Sequence, residues 1–136
     1  MKRRGIMALA AAIACLAWCA MPMEKGEAVE LARVLYQHCA QQTDETMRVF
    51  CSVIMNRVGR REFGDTLSGV LAKLPSTPVY DERALECAEA LCGGARSFDA
   101  APAEVVYAVH RNEDQSAYAQ MDLWRLCGDY VFYYGS

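Results

Sequence analysis

Residues 44–58 most limit what this chain can become. Met47, Val49, Phe50, Cys51, Val53, Ile54 and Met55 leave hardly any polar side on a helix drawn through them. A helix that is apolar almost all round must be covered by other elements, so this one is expected to be the central buried helix. Its start is marked by Thr43, a capping residue, and by Asp44 and Glu45, acids near the positive helix end. Gly59 follows where a left-handed stop is expected. Arg57, Arg60 and Arg61 gather at the negative end of the helix, which is a sufficient structural reason for them.

The remaining segments supply the cover. Residues 27–42 read as an amphipathic helix, with Leu31, Val34, Leu35, His38 and Gln42 on one face. Position 38 puts a titratable ring in the middle of that inward face. Asp65 and Thr66 can cap a short third helix carrying Leu67, Val70, Leu71 and Leu74, closed by Pro75. Asp81 caps a fourth, with Ala84, Leu85, Ala88 and Leu91 inward and Gly93-Gly94 at its end. Val105 to His110 and Tyr130 to Tyr134 are β-type runs. Residues 116–127 have apolar mass but no clean period. Helices come first and strands follow, which predicts an α+β fold with a short antiparallel sheet.

The N-terminus carries a different signal. Lys2, Arg3 and Arg4 precede an unbroken apolar run from Ile6 to Trp18. That run suits a signal-peptide core and is short for a bilayer span. Residues 1–20 are therefore expected to be a signal peptide or a membrane anchor, 21–26 a linker, and 27–136 one exported domain. Cys15 and Cys19 raise a lipoprotein reading, but the bulk of Trp18 argues against lipid attachment. The net charge is −3, so no basic excess exists to hold nucleic acid. Contact with a membrane is expected only through the N-terminal segment.

Beyond the leader lie Cys39, Cys51, Cys87, Cys92 and Cys127. An exported chain can oxidise some of them, and an odd number leaves at least one outside any internal pairing. Their spacing forms no Cys-x-x-Cys and no metal-ligand cluster, so neither a metal nor a cofactor is expected.

Three stretches in order carry a resemblance. They are Glu30-Leu-Ala-Arg-Val-Leu-Tyr36, Val53-Ile-Met-Asn-Arg-Val58 with Phe63 and Leu67-Ser-Gly-Val70, and Gly128-Asp-Tyr-Val-Phe-Tyr133. Together they resemble the SleB-like cell wall hydrolases, the family of spore-cortex-lytic enzymes. The resemblance implies a small lysozyme-like α+β domain. It also implies action on the glycan strands of peptidoglycan, with a lytic transglycosylase outcome, outside the cell membrane.

Two site positions depart from the family pattern. A glutamate is expected two residues after the tyrosine of the first helix, where this chain has His38. A histidine is expected in the last strand, where this chain has Tyr130. Glycosidic cleavage needs an acid to protonate the leaving oxygen. A half-buried glutamic acid can stay protonated near neutral pH. A buried histidine instead loses its acid form. Glu45 matches an acidic position of the family and is the best remaining acid, although it also suits a first-turn helix position. The expected catalytic residues are thus His38 and Glu45. Tyr36, Asn56, Tyr107 and Tyr130 are expected to bind substrate. The alternative is a catalytically dead peptidoglycan-binding or scaffold protein of the envelope.

Overall fold

The computed structural model describes residues 25–92 and 100–135. The leader, most of the linker, the Gly93-Gly94 stop and most of the loop after it lie outside the described residues. Four α-helices precede three β-strands among the described residues. The fold class is α+β, as the segment order predicted.

Helix α1 (Lys25–Cys39) starts inside the expected linker and stops short of Gln42. The early stop has a physical cause in Arg83. Its guanidinium donates to the carbonyls of Cys39 (3.1 Å), Ala40 (3.2 Å) and Gln42 (2.7 Å), and it pairs with Asp44 at 3.2 Å. Carbonyls that a helix end leaves open are thereby met by a side chain from another helix.

Helix α2 (Asp44–Arg57) begins at Thr43, whose side chain accepts from the Thr46 amide at 3.3 Å. Thr46, Met47 and every residue from Val49 to Ile54 are buried. Helix α1, helix α3 (Leu67–Ala72), helix α4 (Glu82–Cys92) and the sheet supply the cover. Thr66 caps α3 by accepting from the Gly69 amide at 3.1 Å. Asp81 caps α4 by accepting from the Ala84 amide at 2.8 Å. Gly59 sits at φ +86°, the left-handed stop that its position called for.

The sheet contains β1 (Val105–His110), β2 (Leu123–Cys127) and β3 (Tyr130–Tyr134) in the order β1-β3-β2, all antiparallel. Strand β2 resolves the ambiguous stretch, together with a 3-10 turn at Ser116–Tyr118. Its period was hidden because Leu123 and Leu126 are both exposed, at 58% each. Tyr130 and Phe132 of β3 face the helices and join their core.

The β2–β3 turn is pressed against the chain between α1 and α2. Gly128 lies at φ +57°. A two-residue hairpin with a positive φ at its first position favours glycine there. A Cβ at Gly128 would stand 2.5 Å from Gln42 Oε1 and 2.7 Å from Thr46 Oγ1. Gln42 Nε2 donates to Asp129 Oδ2 at 2.9 Å, and the Asp129 amide donates back to Gln42 Oε1 at 3.1 Å. Gln42 does point inward, but from beyond the helix end, as a clamp on the hairpin. Replacing Gly128 with Ala combines strain with steric conflict. It is expected to destabilise the fold by about 1–3 kcal/mol, read from urea unfolding by circular dichroism.

Candidate functional site

His38 sits near the end of α1, where the helices meet the sheet. Its ring stacks on Phe50 of α2, with centroids 5.0 Å apart and planes 23° apart. The edge of Tyr130 meets Phe50 at 5.1 Å, and His110 meets Tyr130 at 5.4 Å. The Tyr130 hydroxyl donates to the His38 carbonyl at 2.7 Å. Four rings from α1, α2, β1 and β3 therefore make one contiguous cluster.

The electrostatics of the cluster follow from burial. Desolvation holds the His38 pKa below the ordinary value of 6.5. The Pro75 carbonyl and the Glu113 carboxylate oppose that shift without reversing it, and Arg57 adds to it. The Nε2 atom is buried and has no hydrogen-bond partner. Burial also pushes the Tyr130 phenol above its usual value of 10. Both groups are thus held neutral at neutral pH.

The other expected site residues are dispersed. Glu45 is exposed, and its Oε1 accepts from Arg125 of β2 at 2.8 Å. Asn56 spends its amide nitrogen on the carbonyls of Pro102 (2.8 Å) and Val105 (3.0 Å), which ties α2 to the start of β1. Tyr36 packs half-buried against the core. Tyr130 is only 5% exposed and offers no open face to a sugar. Tyr107 lies on the opposite side of the sheet from Tyr130, in a row of aromatic rings. It meets Phe63 at 5.7 Å and Tyr118 at 5.5 Å, and Tyr118 stacks on Tyr133 at 5.3 Å. The structure joins His38 to Tyr130 directly. It anchors Glu45, Asn56 and Tyr107 through other partners.

Arg57 does more than answer the helix dipole. Its Nε donates to the Val106 carbonyl at 2.7 Å, and its guanidinium lies 4.8 Å over the Phe63 ring. Three further residues bear on the site. Glu113, in the turn after β1, is the carboxylate that acts on His38 and Tyr130. It was overlooked because only the folded turn brings it near His38. Trp124 lines an open depression with Asn56 and residues 100–103. Arg125 crosses its ring at 5.9 Å. Both belong to β2, which sequence pattern did not reveal. Among the described residues no group of three His, Cys, Asp or Glu side chains is placed to hold a metal ion.

With this geometry in view, the chain can be set beside known proteins. No protein-family model matches its sequence, and no curated protein matches it. Among solved structures, it matches the catalytic domain of the germination-specific lytic transglycosylase SleB from Bacillus anthracis, with a TM-score of 0.63. The match covers 82% of this chain and 96% of that domain, at 15% identity. The two share a fold.

The depressed His38 pKa has a consequence for stability. Unfolded His38 binds a proton at higher pH than folded His38. Its contribution is complete above about pH 6.5 and is lost as pH falls below that value toward the folded pKa. Proton NMR titration of the folded chain is expected to place the His38 midpoint below 6.5. A midpoint above 6.5 would contradict the burial argument.

Proposed function

We propose that this chain binds peptidoglycan glycan strands outside a membrane, on a lytic-transglycosylase scaffold that has lost its working acid. The fold likeness to a SleB catalytic domain carries the peptidoglycan reading. The three sequence stretches that resemble the same family agree with it. The loss of chemistry rests on position 38. A general acid must hold a proton at working pH and reach the leaving oxygen. Burial leaves His38 neutral, so it lacks the acidic proton of an imidazolium. Glu45 is exposed, and its carboxylate is engaged by Arg125. Aromatic faces are good platforms for sugar rings, and the Tyr107 row and Trp124 supply them.

A second reading keeps slow cleavage with Glu45 as acid. The favouring observation is the Arg125 contact, which holds the Glu45 carboxylate at a defined place between α2 and β2. One experiment separates the two. The purified domain is incubated with sacculi, pelleted, and the supernatant analysed for anhydro-muropeptides by mass spectrometry. The binding reading expects co-sedimentation with fragments at background. Fragments that disappear in Glu45→Gln would establish the second reading. Failure to pellet with sacculi would overturn both. Restoring an acid gives a further check. His38→Glu is expected to raise anhydro-muropeptide release by about a hundredfold over the unchanged chain, the scale of a general acid.

A further inference from the structure

Two cysteines outside the His38 cluster form a pair with its own chemistry. Cys51 of α2 is fully buried. Its thiol hydrogen-bonds Cys87 of α4. Cys87 is half-buried and lines a surface cavity of about 210 Å³. Arg48 and Arg83 stand in the same lining, with Asp44 and Glu86. Cys87 thus borders a cavity beside two arginines, with buried Cys51 as its hydrogen-bond partner.

The environment distinguishes Cys87 from its neighbours. The hydrogen bond from Cys51 lowers the Cys87 pKa, and Arg48 and Arg83 act in the same direction. Burial and Asp44 oppose them. Cys39 is close enough to interact with Cys87, but its thiol is pushed up to about 12 by burial. That shift keeps Cys39 protonated near neutral pH and makes it a poor attacking nucleophile. Cys127 lies 3.3 Å from Thr46 Oγ1, at the sheet side of α2.

We infer that Cys51 and Cys87 are a redox pair that closes to a disulfide joining α2 to α4, with Cys87 attacking and Cys51 resolving. The inference stands apart from the peptidoglycan reading, since no step involves a glycan. The oxidant is a small disulfide such as oxidised glutathione. The Cys87 thiolate attacks one of its sulfurs. The S–S bond breaks, one thiolate leaves, and a mixed disulfide forms on Cys87. Cys51 then gives up its proton and attacks Cys87 Sγ, releasing the second thiolate. Two protein thiols are oxidised, and one external disulfide is reduced to two thiols.

The test equilibrates the folded chain with reduced and oxidised glutathione, quenches it with acid, and maps disulfides by mass spectrometry without reduction. Cleavage after Glu86 and Glu89 separates Cys87 from Cys92. The expected product is a peptide containing Cys51 linked to the peptide containing Cys87. The oxidised chain is expected to melt at least about 5 °C higher than the reduced one, reversibly with dithiothreitol. Cys51→Ala is expected to stop at the Cys87–glutathione mixed disulfide. If that variant does not fold, the map of the unchanged chain decides alone. Linkage of Cys87 to any other cysteine, or both thiols remaining reduced under oxidising buffer, overturns the pairing.

Discussion

The burial of α2 is the constraint on which the other contacts depend. A fully buried Val, Leu, Ile, Phe or Met side chain contributes about 1.5–3 kcal/mol, and α2 buries Met47, Val49, Phe50, Val53 and Ile54 together. That gain exists only while all the covering elements stay in place. Polar ties at several points along the helix hold them. Thr46 reaches Cys127 of β2. Asn56 and Arg57 reach the carbonyls of residues 102, 105 and 106. Arg83 closes the gap between α1 and α2. The helix is anchored at both ends, and the sheet is drawn onto it.

The same anchoring engages the polar groups of the candidate site. Tyr130 and Asn56 carry polar groups suited to a substrate, yet both are engaged with backbone carbonyls. His38 is seated by stacking on Phe50, among apolar neighbours. A cationic imidazolium there would have to be desolvated. The opposing charge of Glu113 only partly offsets that cost. Burial therefore governs the state of the histidine.

Much of the fold was legible because its signals are local. Thr43, Thr66 and Asp81 lie within three residues of the amides that they cap. The period of the helices needs only one turn of context to read. Strand β2 was not legible, because exposed Leu123 and Leu126 break the apolar alternation that marks a half-buried strand. Arg57 shows the same limit differently. Its charge at a helix end was visible, but its carbonyl partner lies 49 residues away. For the site, the identity of His38 was visible. Its neighbours Phe50, Pro75 and Glu113 come from three separate segments.

By itself, the sequence determined the helix that must be buried, the caps that start its companions, the helices-then-strands order, and the identity of residue 38. Each of these depends on side-chain type and short spacing. The tertiary structure alone decided that His38 is held neutral, that Glu45 faces solvent against Arg125, and that Cys87 lies over Cys51. Those properties depend on distance and desolvation between residues far apart in the chain. No local pattern encodes them, because the fields and contacts that set them exist only once α2 has been covered.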